Sequence, residues 1–149
     1  MSWITPITDR TAADVANRTA RGFLNVSDIN RIEGNIAWLT NELRRFNIFA
    51  DIHSIANWNA NGLPRITDLQ RIRNNASSIA VLAFAIRPDL WPSLHNVTDV
   101  RLQHLDFTTV NLLETNLYLL RRMTDRMPII FRQSSFISGQ SLFLPQRRV

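Results

Sequence analysis

Ser27-Asp28-Ile29-Asn30-Arg31-Ile32-Glu33-Gly34-Asn35-Ile36, running on to Leu39, decides the fold. Its apolar residues Ile29, Ile32, Ile36 and Leu39 fall at helical spacing, which puts them on one face of a helix. The pattern returns twice. Thr67-Asp68-Leu69-Gln70-Arg71-Ile72-Arg73-Asn74-Asn75-Ala76 carries the stripe Leu69, Ile72, Ala76, Ile79. Thr108-Thr109-Val110-Asn111-Leu112-Leu113-Glu114-Thr115-Asn116-Leu117 carries Val110, Leu113, Leu117, Leu120. From Ile29 to Leu69 is 40 residues and from Leu69 to Val110 is 41. The spacing predicts three repeat-related amphipathic helices that bury their stripes together in one core.

Each copy opens with the same start signal. Ser27, Thr67 and Thr108 read as N-caps, whose hydroxyls accept from orphan backbone N–H groups. Three residues on, Gln70 completes a capping box, with Asn30 and Asn111 as shorter versions. Asp28 and Asp68 fall in the first turn, where the helix dipole favours an anion. Asn35, Asn75 and Asn116 recur at one repeat position beside the stripe. The recurrence favours bonds to a neighbouring loop or helix end inside the domain over contacts with a partner's backbone.

Outward from the repeats, Asn57 to Pro64 and Arg87 to Ser93 are rich in Asn, Gly and Pro and read as connections. A shorter helix is expected within Thr11 to Phe23, starting near Asp9 and ending at Gly22. Beyond the third helix the period changes. Ile129 to Arg132 and Phe136-Ile137, then Leu142-Phe143-Leu144, read as a short β-hairpin closed at Gly139. A lone hairpin is marginal in water, so a neighbouring protein or a second copy is expected to order it by strand addition. The fold class is therefore mainly α, one domain. Residues 1–26 form an arm with a short helix, 27–128 the helical body, and 129–149 the hairpin and tail.

Composition narrows the function. At 149 residues the chain can bury a real core as one domain. Its apolar share of 45% and charged share of 19% fit a globular protein rather than a disordered one. It has no cysteine, which removes disulfides, iron–sulfur ligation and thiolate nucleophiles. The longest apolar run, Ile79 to Ile86, is far short of the ~20 residues a membrane span needs. The start at Met1-Ser2-Trp3 lacks the features of a signal peptide, so synthesis in the cytoplasm is expected. All 17 basic residues are arginine, for a net charge of +5. Such a charge invites a nucleic-acid reading, resting on Arg44-Arg45, Arg71, Arg73, Arg121-Arg122 and Arg147-Arg148. Those arginines are interleaved with acids, as on a solvated helical surface, so nucleic acid is the alternative and not the main reading.

Catalytic chemistry finds no pattern to rest on. His53, His95 and His104 lack paired metal-ligand spacing. No serine sits in a glycine-flanked elbow, and 4 scattered glycines build no phosphate loop. The expectation is no enzyme, no catalytic residue, no cofactor and no metal. Trp38 belongs with the core beside Leu39. Trp3, Trp58 and Trp91 lie in extended or turn segments, where tryptophan either anchors an interface or folds back to close a small core. Together with Phe136, Leu142, Phe143 and Leu144 they are the candidate partner interface.

The order of several motifs resembles a family of small proteins encoded among the tail genes of phages and prophages of Gram-positive bacteria. The resemblance rests on Trp3-Ile4-Thr5-Pro6, Thr8 to Val15, Leu24 to Ile36, Asn57-Trp58 with Gly62-Leu63-Pro64, Thr67 to Ile72, and Phe136 with Ser138-Gly139-Gln140. It spans nearly the whole chain. The chain departs from the family's pattern in using arginine where lysine is common, and Phe136-Ile137-Ser138-Gly139 where a cysteine before the glycine is usual. The resemblance implies a tail-associated structural protein of the virion: a tail tip, baseplate or fibre adaptor. Its partners would be other virion proteins, in multiple copies within a symmetric assembly and without a membrane. The alternative function is a DNA-binding or DNA-packaging accessory.

Overall fold

The computed structural model describes residues 2–55, 57–59, 62, 64–86 and 106–141, with side chains left aside at 83–86 and 128–141. Four α-helices and no strand occur among the described residues: α1 (Ala12–Ala16), α2 (Val26–Arg44), α3 (Ile66–Ile86) and α4 (Phe107–Ser141). The three repeat copies are α2, α3 and the first part of α4, and each packs on the other two. The stripes meet as expected. Ile29, Ile32, Ile36, Leu39, Ile72, Ala76, Ile79, Val110, Leu117 and Leu120 are all buried in one cluster, extended by Leu43, Ala80, Met123 and Met127. Leu69 and Leu113 are only half-buried at its edge. Burial of apolar surface, at roughly 25 cal/mol per Å², is what holds these helices together.

The helices begin at Val26, Ile66 and Phe107, so their capping positions, Asn25, Arg65 and Asp106, lie two residues before Ser27, Thr67 and Thr108. The Asn25 and Arg65 N–H groups each donate to an aspartate three residues on, Asp28 Oδ2 and Asp68 Oδ2, at 2.9 Å. At α4, Asp106 Oδ1 accepts the Thr109 N–H at 2.8 Å. A carboxylate is the stronger acceptor and interacts favourably with the dipole, so it captures the start from the hydroxyls.

The expected arm helix is broken in two. Thr11 and Asp14 form a capping box for α1. Arg18 then takes the left-handed backbone at φ 51°, and a 3₁₀ turn, Ala20–Gly22, follows. Gly22 lies on α1 so closely that a Cβ there would stand 2.2 Å from the Asp14 carbonyl oxygen. Gly34, in the middle of α2, would place a Cβ in open space. Alanine at these two glycines is therefore expected to move thermal stability in opposite directions. Gly22→Ala should cost about 1–3 kcal/mol by overpacking, and Gly34→Ala should gain about 0.5–1 kcal/mol of helix propensity. Melting curves of the two variants check this.

The C-terminal hairpin is not found among the described residues. Where a first strand was expected from Ile129, α4 continues unbroken to Ser141. Short apolar runs do not separate strand from buried helix by period alone. A helix already running adds one hydrogen bond for each residue it fixes, whereas a two-stranded hairpin must first close its turn. Gly139, the expected turn, lies inside α4. The second expected strand, Leu142-Phe143-Leu144, and the tail lie outside the described residues.

Candidate functional site

The polar chemistry of this chain is concentrated where two extended segments cross the helices. The first is the arm, residues 3–10. Asn35 on α2 grips Ile4 by both backbone groups: the Ile4 N–H donates to Oδ1 at 3.0 Å, and Nδ2 donates to the Ile4 carbonyl at 2.8 Å. Asn111 on α4 grips Arg10 in the same way, at 3.2 and 2.8 Å. Between them the Ile7 N–H donates to Glu114 Oε2 at 2.7 Å. An asparagine amide matches a peptide group donor for acceptor, which is why one side chain can satisfy both groups of a residue whose neighbours are not in a ladder.

The arm then drives a charge into the interior. The Arg10 guanidinium, 5% exposed, donates to Asp28 Oδ1 and Glu114 Oε1, both at 2.9 Å, and to the Ile7 carbonyl at 2.6 Å. Arg31 reaches the same two carboxylates, with Nε 2.9 Å from Glu114 Oε2 and Nη2 2.7 Å from Oε1. Two cations and two anions thus form a closed buried group that ties the arm to α2 and α4. Burial pushes the Asp28 carboxyl up, but the Asn25 N–H and the Arg31 and Arg10 guanidiniums outweigh it and hold Asp28 below its ordinary 3.8. Burial likewise opposes the charge on Arg31, and Glu114 and Asp28 more than restore it.

Because the folded value of Asp28 lies below the unfolded one, its contribution to stability is present above pH 3.8 and is lost as pH falls below that. Asp28→Asn should therefore lower the urea midpoint at pH 6, and its deficit relative to the parent should shrink as pH is taken below 3.8. A deficit of constant size down to pH 2 would contradict the assignment.

The second segment, residues 53–58, is held by the same residue types. Asn75 on α3 donates to the His53 carbonyl at 2.7 Å, and Arg71 donates to it at 2.8 Å. Glu33 Oε2 accepts the Ile55 N–H at 3.3 Å, and Asn30 grips both backbone groups of Trp58, at 2.8 and 2.9 Å. Glu33 is buried and paired with Arg71, whose charge is favoured first by its hydrogen bond to that carboxylate.

The candidate interface residues are divided by the structure. Trp3 and Trp58 are half-buried and packed on the edge of the core. Trp3 meets Trp38 edge to face, with centroids 5.3 Å apart, and the Arg121 guanidinium lies 5.0 Å from the Trp3 centroid and 5.4 Å from that of Trp38. Such stacking favours an arginine over other cations. Phe136 belongs to α4, and Trp91, Leu142, Phe143 and Leu144 lie outside the described residues. His53 is exposed, while His95 and His104 lie outside the described residues. Arg10, Asp28, Arg31 and Glu114 carry the most elaborate chemistry of the described chain, and spacing did not single them out. The available signal was a carboxylate at one repeat position, Glu33 and Glu114, directly beside an apolar stripe. A charge there must be paired, because a lone buried charge is too costly.

Large apolar side chains that the core does not cover include Phe49 at 71% exposure, Ile66 at 68% and Val81 at 52%. Phe49 and Val81 share an open groove with Ala50, Ser77 and Leu82, where the chain leaving α2 passes α3. No helix among the described residues is long and apolar enough to cross a membrane. No protein-family model, curated protein or solved structure matches this chain.

Proposed function

We propose that this protein is a structural component of a phage virion, a tail tip, baseplate or fibre adaptor, whose work is to bind other virion proteins in a fixed geometry. The observation that carries the reading is the apolar groove at Phe49 and Val81, on a body whose buried charges, Arg10, Asp28, Arg31, Glu33 and Glu114, are paired internally. Exposed apolar surface of this kind favours protein contact. The buried ion group and the asparagine grips make the body a stiff block, which is what an adaptor between symmetric rings requires. The motif order that resembles tail-gene proteins supplies the setting, and multiple copies in the particle follow from it. Of the arginines that invite DNA binding, Arg71 is engaged with Glu33 and Arg121 with Trp3 and Trp38, which favours the virion reading over DNA binding.

The test is incorporation. Particles of the phage or prophage that encodes the chain are purified, and the protein is sought in them by mass spectrometry. It is expected at several copies per particle. Phe49→Asp combined with Val81→Asp should reduce incorporation at least tenfold while leaving the melting temperature close to that of the parent. Absence of the chain from particles, with retention of the purified protein on duplex DNA at moderate salt, would replace this reading with the DNA accessory.

A further inference from the structure

Two apolar surfaces stay open at opposite ends of α2. At its N-terminal end, residues 11–23 form a knob in which α1 and the 3₁₀ turn fold back on each other and bury no residue. Hydrogen bonds stiffen it instead. The Asp14 carboxylate accepts from the Thr11 N–H and from the hydroxyls of Thr11 and Thr19, and the Asp14 carbonyl accepts the Thr19 N–H at 3.0 Å. Asn25 Nδ2 donates to the carbonyls of Ala20 and Phe23, at 2.6 and 3.2 Å, and so fastens the knob to the start of α2. A Cβ at Gly22 would stand 2.8 Å from the Val15 Cα, which makes Val15 and Phe23 close neighbours. They are 40% and 50% exposed.

At the other end, the Ile48 N–H donates to the Leu43 carbonyl at 3.1 Å, which turns the chain out of α2 and sets Phe49 in the groove with Val81 and Leu82 of α3. The groove encloses about 340 Å³, against the roughly 150 Å³ that suffices to hold a benzene ring. With 19 residues, α2 separates knob from groove by about 28 Å, so one molecule cannot bring them together. Among the described residues, the one charge lining the groove is Asp51, which is exposed. The free charge of the knob is Arg18, because Arg21 is paired with Asp9 and Asp14 is taken by the threonines.

We infer that the chain associates with itself head to tail: Phe23 and Val15 on the knob of one copy seat in the Phe49 and Val81 groove of the next, with Arg18 set against Asp51. Three observations select a second copy as the occupant. The chain exposes two apolar surfaces that cannot cover each other within one molecule. One is a preorganised projection and the other a groove with room for an aromatic ring, so their shapes match each other and not themselves. Their free charges are opposite, which sets the register and disfavours knob against knob. A contact between two different patches is heterologous, and its repetition closes a ring where the rotation permits. The inference rests on the virion reading in taking the groove as a contact surface, and it names the occupant of that surface.

Sedimentation velocity on the full-length protein tests this. The parent should associate as its concentration rises. Phe23→Asp spoils the knob, and Phe49→Asp with Val81→Asp spoils the groove. Each should weaken association about tenfold or more while keeping the parent's melting temperature. Mixed together, the knob variant and the groove variant should form a pair that grows no further, since one intact knob meets one intact groove. Arg18→Glu should weaken association, and adding Asp51→Arg to the same chain should restore it. A parent that stays monomeric at about 1 mM would overturn the inference. So would a groove variant that associates as well as the parent, or a mixture that never pairs. The virion reading fails separately: a chain that associates in this way yet is missing from particles sinks that reading alone, and a monomeric chain that enters particles through its groove sinks only the inference.

Discussion

Glu114→Ala is expected to lower stability by about 3–5 kcal/mol at neutral pH, the cost of stranding buried charge. Glu114 is fully buried and accepts from both Arg10 and Arg31 as well as from the Ile7 backbone. Its removal leaves two guanidiniums facing Asp28 alone and frees the middle of the arm. The pair is worth little if both partners go together. In an Arg10→Met background the same substitution should cost less, with a coupling of about 0.5–3 kcal/mol. Urea unfolding of the four corners of this cycle measures it. Additive losses would mean that Arg10 and Glu114 do not share one group.

The second large effect lies in the core. Ile36, Ile79 and Leu117 are at most 0% exposed, and truncation of each to alanine should cost about 2–5 kcal/mol through lost burial and the cavity left behind. Helical spacing alone assigns the same cost to Ile32, Ile72 and Leu113. Ile32 and Ile72 are buried and keep that expectation, but Leu113 sits half-buried at the core's edge, so Leu113→Ala should cost about 1–2 kcal/mol. Denaturant midpoints rank the series. Equal losses at Leu113 and Leu117 would show that the edge is closed.

What could be read from spacing, and what could not, follows from the range of the interaction. The stripes of α2, α3 and α4 depend on residues three and four apart, and nearly every assigned position is buried. The shared role of Asn35 and Asn75 as internal grips was also legible, because recurrence at one repeat position implies one structural cause. The caps were misplaced by two residues because hydroxyl and carboxylate signals overlap in Asn25 to Asp28, and charge decided between them. The first strand of the hairpin is not found among the described residues, because a helix and a strand share an apolar run there. The ion group was hidden by distance. Arg10 and Glu114 are 104 positions apart, and no local pattern relates them.

That separation has a consequence for how the protein is made. The arm leaves the ribosome before the helices that hold it, since Asn111 and Glu114, which bind Ile7 and Arg10, are synthesised 101 to 107 residues later. At 5–20 residues per second the arm waits about 5–20 s for them. During that interval Arg10 stays in water and α2 emerges with Asp28 and Arg31 bound only to each other. Closure of the arm is therefore post-translational with respect to α2 and α3, and a nascent chain arrested before residue 111 should display residues 3–10 in a form that proteases can reach.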